Sequence, residues 1–403
     1  MKALTLTIDK YIQLRQKQET DINFRPNIYD LVELKEVPDV NLINENWVKI
    51  KVKIGGICGA DLNLLSLKTS TCLSNFSSFP AIPGHEIVGL ITEVGSNVKN
   101  ISIGDKVIID ENLGCEARGL VPCDSCSKGE YNLCSNYDKG DLSPGAIIGY
   151  CKDTGGSWGE FVVAHKSQVL KIPESVSFEQ ALVAEPLACA IHGIFKHLPR
   201  DDENCVVIGC GTIGLATILA LKSFSNCNII ATAKYAFQSE LAEKLGADEV
   251  FLVKKDLHIK KIGRKLGCRI LSPVMEDALP IGGGADIVID SVGNASSLAN
   301  SMRLVKAKGT VILIGYPSYL EIDWTPFMAK ETHIVASNIF SNLTINNEKK
   351  RTLQVALDLI ESGQANVKNF ISHKFSINDY KKAFEVASNK SQNNSIKTVF
   401  IYD

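Results

Sequence analysis

Alternating apolar and polar residues mark the first part of the chain, from residue 1 to roughly 180, and predict short β-strands. Val48 to Ile54 alternates with a period of two, and the apolar runs Val88 to Val94 and Lys106 to Ile109 are bounded by turn residues. Many short strands separated by turns are typical of a small barrel or sandwich. We therefore expect a β-rich first domain.

From about residue 203 the pattern changes to buried strands that alternate with helices. Cys205 to Ile208 is an apolar strand, and Leu215 to Phe224 is an apolar helix. The alternation predicts a doubly wound parallel sheet. Its further strands are expected at Ile229 to Thr232, Asp286 to Ile289 and Thr310 to Ile314.

The last part of the chain is expected to leave this sheet and to pack back on the first domain. Thr352 to Ile360 and Asn378 to Ala387 have the pattern of amphipathic helices, and Lys397 to Tyr402 that of a closing strand. The predicted organisation is α/β, with boundaries at 1–190, 191–336 and 337–403.

Charge and composition narrow the possible partners. Lys and Arg number 43 and Asp and Glu 45, which gives a net charge of −2, and no basic block could neutralise a nucleic-acid backbone. No run has the length of a membrane span, and the first residues lack the apolar core of a signal peptide. We expect a soluble cytoplasmic protein without nucleic-acid or membrane partners. In that setting the twelve cysteines favour metal ligation over disulfides.

Four of these cysteines are close together in a polar loop. Cys123, Cys126 and Cys134 follow a CxxC-x7-C spacing, and Cys115 precedes them. A CxxC turn presents two sulfurs to one metal, so the cluster predicts a structural zinc site. The alternative is that the thiols are free cysteines, which usually pack as small apolar side chains. Seven residues separate Cys115 from Cys123, which makes its part in the site the weakest prediction.

A second set of potential metal ligands is spread along the chain. His85 and Glu86 form a ligand pair within a glycine-punctuated apolar run, Cys58 lies upstream beside glycine, and Glu185 lies downstream beside proline. A catalytic zinc needs three protein ligands and an open position that binds a substrate oxygen. Taken one at a time, these residues could equally be a buried histidine, a core thiol or an acid at a helix start.

The first strand and helix of the parallel sheet are joined by a dinucleotide-binding motif. Gly209, Gly211 and Gly214 form G-x-G-x-x-G directly after the strand, with Thr212 and Ile213 between the last two glycines. Glycines there permit a tight turn and the close approach of a pyrophosphate to the helix N-terminus.

The end of the second strand bears on the choice of cofactor. NAD-binding units usually carry Asp or Glu there, but this chain has Ala233, followed by Lys234 and Tyr235. The small residue leaves room for a 2′-phosphate, and Lys234 offers it a charge partner. We expect NADP to be preferred over NAD. The alternative is that Lys234 is a solvated surface lysine and that NAD binds less selectively.

Together these motifs resemble the zinc-dependent medium-chain dehydrogenase/reductase family, in the branch of sorbitol, threonine and microbial glucose dehydrogenases. The resemblance rests on Gly56 to Asp61, Gly84 to Gly89, Glu185 to Leu187 and Gly209 to Gly214. It implies a GroES-like catalytic domain split around a Rossmann domain, and a homodimer or homotetramer. Its reaction is hydride transfer between an alcohol carbon and the nicotinamide.

The resemblance also implies roles for single residues. Cys58 and His85 match the family's principal zinc ligands. Glu86 matches an adjacent carboxylate that ligates in some members, and Glu185 matches the acidic fourth position. Asp61 matches an acid that orients the ligand histidine. The backbone that borders the nicotinamide is expected at Ser291, Val292, Gly293, Ile314 and Gly315.

Two departures from the family pattern affect these roles. Ala60 stands where the family usually has a hydroxyl that passes on the alcohol proton, so Glu86 or Glu185 is our hypothesis for the proton acceptor. Leu120 stands where the first structural ligand usually falls. Either Cys115 reaches in from a longer loop, which we favour, or that zinc site is incomplete.

The predicted activity is hydride transfer between a small-molecule secondary alcohol, polyol or sugar hydroxyl and NADP(H), with catalytic and structural zinc. One alternative is a carbonyl reductase that works mainly toward the alcohol. A second is a catalytically silent nucleotide-binding protein of the same fold, which Ala60 keeps open.

Overall fold

The computed structural model describes residues 1–21, 23–274 and 277–403. The chain forms two compact units, which are described separately. The first comprises Met1–Glu185 and Lys368–Asp403, and the second comprises Pro186–Val367.

The secondary structure of both units follows in chain order. The strands are β1 (Lys2–Leu6), β2 (Val32–Glu36), β3 (Trp47–Gly56), β4 (Ile87–Val94), β5 (Lys106–Ile109), β6 (Phe161–His165), β7 (Val169–Lys171), β8 (Asn204–Ile208), β9 (Asn228–Ala233), β10 (Glu249–Leu252), β11 (Arg269–Leu271), β12 (Leu279–Ile281), β13 (Ala285–Asp290), β14 (Val305–Leu313), β15 (His333–Ala336), β16 (Asn342–Ile345), β17 (Glu348–Arg351), β18 (Ile371–Ser376) and β19 (Lys397–Ile401). The α-helices are α1 (Ile8–Thr20), α2 (Gly59–Leu65), α3 (Asp124–Ser127), α4 (Phe178–Leu182), α5 (Ala184–Ile194), α6 (Thr212–Phe224), α7 (Ala236–Lys244), α8 (Leu257–Lys265), α9 (Ala295–Leu304), α10 (Thr325–Ala329), α11 (Thr352–Glu361), α12 (Tyr380–Ser388) and α13 (Lys390–Asn393). Short 3-10 turns cover Thr71–Phe76, Tyr131–Leu133, Lys166–Gln168 and Ile377–Asp379.

The first unit is built on a mixed sheet in the order β18-β19-β3-β4-β5-β7, with β6 paired to β3. The alternation in β3 buries Val48, Ile50 and Val52 in the core of this unit. Period-two burial is what one covered face of a sheet requires. The expected β-rich first domain is confirmed.

The second unit contains six parallel strands in the order β10-β9-β8-β13-β14-β15. Strand β8 begins the series, and the order reverses between β8 and β13. Ligands of open α/β sheets bind at such a switch point, beyond the carboxyl ends of the strands. The predicted doubly wound sheet is confirmed.

Two features differ from the pattern-based expectation. Helix α1 is inserted between the paired strands β1 and β2, where its Leu14 is buried and its Arg15 donates to the carbonyl of Thr69. The chain returns to the first unit at Lys368, not at 337, because hairpin β16–β17 and helix α11 stay with the second unit after β15. No helix among the described residues is long and apolar enough to span a membrane.

Candidate active site and metal centres

Antiparallel pairing of β3 with β4 brings together residues that are distant in the sequence. Gly55 of β3 lies opposite Ile87 of β4, so the end of one strand meets the start of the other. Cys58 follows β3, and His85 and Glu86 precede β4. The ligand atoms of these three side chains lie within 4.8 Å of one another.

The donor set of this group fits a zinc ion. Within the described part of the chain, Oε2 of Glu86 is buried and has no hydrogen-bond partner. Leaving a buried polar atom without a partner is costly, so this oxygen points to an ion or ligand as its partner. A thiolate, an imidazole and a carboxylate are the ligands that zinc accepts in proteins.

The carboxylate of Asp61 contacts two of these potential ligands, Cys58 and His85. The backbone N–H of Cys58 donates to its Oδ2 at 2.9 Å, and its Oδ1 is 3.5 Å from Nδ1 of His85. Burial raises the pKa of Asp61, but the charge of His85 and the hydrogen bonds to the carboxylate lower it further, so the net pKa lies below its ordinary value. An ionised Asp61 is suited to orient His85.

Lys397 was missed by the sequence analysis. Its side chain is 3% exposed, and its ammonium group forms an ion pair with Oε1 of Glu86 and donates to the carbonyl of Ile57 at 3.2 Å. Burial lowers the pKa of Lys397, but Glu86 and Cys58 raise it more, so the lysine stays charged. The only sequence signal was a charged residue at the start of an apolar closing strand.

Two further acids belong to this neighbourhood. Glu185, near the start of α5, is buried, but its carboxylate does not meet the 4.8 Å spacing with all three members of the first group. Glu111, also missed from the sequence, is fully buried, and neither of its carboxylate oxygens has a hydrogen-bond partner among the described residues. Burial raises the pKa of Glu111 well above its ordinary value, and Glu185 and Asp110 raise it further.

The structure brings Cys115 to the other three clustered cysteines. The four sulfurs of Cys115, Cys123, Cys126 and Cys134 lie within 4.8 Å of one another. Backbone N–H groups donate to two of these sulfurs. The N–H of Cys123 donates to Sγ of Cys115 at 3.3 Å, and the N–H of Asn136 donates to Sγ of Cys134 at 3.4 Å. Four thiols held this way match a tetrahedral structural zinc site.

The side chain of Arg118 holds together the loop that carries Cys115. The arginine is 0% exposed, and no carboxylate pairs with it among the described residues. Its guanidinium instead donates hydrogen bonds to backbone carbonyls of the surrounding loop. The acceptors are the carbonyls of Leu113, Lys139, Leu142, Ser143 and Gly145.

The glycine motif of the second unit has the geometry that the sequence predicted. Gly209 has φ of +90°, and a Cβ on Gly214 would lie 1.7 Å from the carbonyl oxygen of Gly209. Neither position could carry a larger residue without a shift. Gly211 caps α6, which begins with Thr212 and Ile213.

The predicted nicotinamide-side segments are gathered at the same end of the sheet. The hydroxyl of Ser291 donates to the carbonyls of Ile208 and Gly209, each at 2.8 Å, which ties β13 to the glycine turn. Asp290 accepts hydrogen bonds from the other predicted nicotinamide-side residues, through its carboxylate and its backbone carbonyl. The backbone N–H groups that donate to it at 2.9–3.0 Å are those of Val292, Gly293, Ile314 and Gly315.

At the end of β9, Ala233 is buried and Lys234 is exposed. The ammonium of Lys234 lies 5.5 Å from the ring centre of Tyr235, which stacks on Phe237 at 5.6 Å. Lys234 has no carboxylate partner among the described residues. Its charge is therefore available to an anion.

Comparison with known proteins finds related domains for both units. Family models match twice: the alcohol dehydrogenase GroES-like domain over residues 44–174 and the zinc-binding dehydrogenase domain over 212–362. The chain is 30% identical to L-idonate 5-dehydrogenase of Vitis vinifera, with 88% of this chain and 87% of the relative covered. The chain belongs to the zinc-dependent medium-chain dehydrogenase/reductase family.

Other relatives fit this family. Sorbitol dehydrogenase of Bacillus subtilis is 27% identical, with 88% of this chain and 90% of the relative covered. Among solved structures, zinc-dependent alcohol dehydrogenase 2 from Streptococcus pneumonia matches with a TM-score of 0.76 at 21% identity, covering 100% of this chain and 99% of that one. The chain is thus a zinc-dependent dehydrogenase of the alcohol and polyol class, with a GroES-like and a Rossmann unit.

Gly56 leaves the space that Glu86 occupies, and its replacement tests the site. A Cβ at Gly56 would lie 1.6 Å from Oε2 of Glu86, so Gly56→Ala is expected to displace the carboxylate and break its pair with Lys397. The free energy of unfolding should fall by about 3–5 kcal/mol, the cost of breaking a buried ion pair. Gly59→Ala is the control, because a Cβ there meets nothing within 4 Å. Equal denaturation midpoints for the two variants would contradict the packing argument.

Arg118→Met is expected to loosen the cysteine loop, because five carbonyls lose their shared donor. The free energy of unfolding should fall by about 3–5 kcal/mol in chemical denaturation. Arg200→Met provides the control, since the Arg200 side chain is 73% exposed and its surface ion pairs contribute less than about 1 kcal/mol. A similar small loss for both variants would mean that Arg118 does not organise the loop.

Proposed function

We propose that this enzyme transfers a hydride between a secondary alcohol, polyol or sugar hydroxyl and NADP(H), at a zinc site formed by Cys58, His85 and an acid. The observation that carries the proposal is the convergence of Cys58, His85 and Glu86 within 4.8 Å. Among the described residues, the buried Oε2 of Glu86 has no hydrogen-bond partner. When bound, zinc supplies the Lewis acid that polarises the substrate hydroxyl, and the nicotinamide accepts the hydride.

The residues around this group have separable tasks. Lys397 binds Oε1 of Glu86, while Oε2 has no hydrogen-bond partner among the described residues. Asp61 holds His85 from behind. Ala60 supplies no hydroxyl, and we assign the acceptance of the alcohol proton to the carboxylate of Glu185, because Glu86 is already ion-paired with Lys397.

The proposed substrate class is a polyol or sugar derivative. The relatives at 30% and 27% identity are named for L-idonate and sorbitol, both of which carry a secondary hydroxyl within a polyhydroxylated chain. Carrying this class over to the present chain is a proposal, to be tested on a panel of polyols, sugar acids and simple secondary alcohols.

The proposed preference for NADP rests on Ala233 and Lys234. Ala233 offers no carboxylate to repel a 2′-phosphate, and the ammonium of Lys234 is exposed without an ion pair among the described residues. A nearby cation favours the phosphate of NADP over the free hydroxyl of NAD.

Zinc content separates the two proposed metal sites. Elemental analysis should find about two zinc ions per chain in the wild type and about one in Cys58→Ser, because only the catalytic group loses a ligand. Cys72→Ser is the matched control, since Cys72 is an exposed free thiol outside both groups. If the wild type contains only zinc that survives Cys58→Ser, the catalytic metal site is wrong.

Cofactor choice is tested by replacing the lysine at the end of β9. Lys234→Met should weaken NADPH binding about tenfold, the loss of one charge-assisted contact, and leave NADH binding unchanged. Fluorescence titration of both dinucleotides gives the two dissociation constants. Lys244→Met, in the last turn of α7, serves as a surface-charge control. A wild type that binds NADH as tightly as NADPH would contradict the preference.

A further inference from the structure

Tyr150 stands opposite the proposed metal ligand His85, with ring centres 6.3 Å apart. The preceding residue explains this placement. Gly149 has φ of +90°, and a Cβ on it would lie 2.6 Å from the carbonyl oxygen of Gly84. Close backbone packing between the two glycines therefore sets the tyrosine beside the histidine.

The hydroxyl of Tyr150 donates a hydrogen bond of 2.8 Å to Oδ1 of Asp61. The same oxygen is 3.5 Å from Nδ1 of His85, and Oδ2 is held by the backbone N–H of Cys58 at 2.9 Å. Asp61 is 1% exposed, so solvent offers little replacement for a lost donor. Tyr150 and Cys58 together fix both oxygens of the carboxylate that faces His85.

We propose that Tyr150 is a positioning residue that, through Asp61, sets the orientation of His85 and thereby the affinity of the proposed catalytic metal site. A histidine ligand binds a metal through one ring nitrogen while the other is held by an acceptor. An acceptor that can rotate holds the ring less well. This inference rests on the proposed function, because it requires a metal at Cys58 and His85.

Tyr150→Phe removes only the hydroxyl and tests the inference. Zinc release to a chelator should show about a tenfold weaker affinity at the catalytic site, the lower end of what outer contacts to a ligand histidine contribute. The four-cysteine site of the same chain should keep its affinity. This internal reference separates a local effect from general loosening of the first unit.

Tyr402→Phe is the matched control. Tyr402 is half-buried like Tyr150, and its hydroxyl makes one hydrogen bond of 2.8 Å, to the carbonyl of Ser157. Both substitutions delete one hydroxyl donor, so a purely structural role predicts equal effects on stability and on metal. Equal zinc affinities in the two variants would overturn the inference.

A double-mutant cycle with Asp61→Ala tests the route, because alanine removes the acceptor of the Tyr150 hydroxyl. If Tyr150 acts through Asp61, removing its hydroxyl in the Asp61→Ala background should change zinc affinity by less than about twofold, since the two effects are not additive for coupled residues. Full additivity would overturn the inference. A wild type without Cys58-dependent zinc would instead refute the proposed metal site itself, so the two failures are distinguishable.

Discussion

A buried ion pair joins two distant segments of the first unit. Glu86 and Lys397 are separated by 311 residues in the sequence, and their side chains are 1% and 3% exposed. Removing two charges from water costs several kcal/mol per ion, which only close pairing and further hydrogen bonds offset. Lys397 begins β19, and Val399 of that strand pairs with Gly56 of β3. The pair therefore joins the start of the last strand to the segment that carries His85 and Glu86.

The sequence pattern predicted the structural features that depend on residues close together in the chain. The period-two alternation of β3 follows from one buried sheet face, and the glycines of the dinucleotide turn follow from a φ of +90° at Gly209 and the contact at Gly214. The spacing of Cys123 and Cys126 is set by a single turn of backbone. In each case the residues that interact are close in the sequence, so their pattern carries the information.

The remaining parts depend on contacts between distant segments, which no local pattern encodes. Lys397 reaches Glu86, and Tyr150 reaches Asp61, only because of how the strands pair and the loops cross. Cys115 lies in a loop that a buried arginine holds through five backbone carbonyls, and the sequence alone left two alternatives for the role of this cysteine. The predicted return to the first unit, at residue 337, came too early. The hairpin after β15 has the pattern of strands, but that pattern does not indicate to which unit the hairpin belongs.

The two groups of potential metal ligands differ in how their donor atoms are held. In the four-cysteine cluster, the backbone N–H groups of Cys123 and Asn136 donate to the sulfurs of Cys115 and Cys134, so the main chain of the loop itself favours thiolates there. In the group of Cys58, His85 and Glu86, the donors flank two different strands, and Oε2 of Glu86 has no hydrogen-bond partner among the described residues. Under the proposed function, the first arrangement suits a metal that is retained permanently. In the second, the carboxylate of Asp61 beside His85 would set the orientation of the ligand ring and with it the metal affinity.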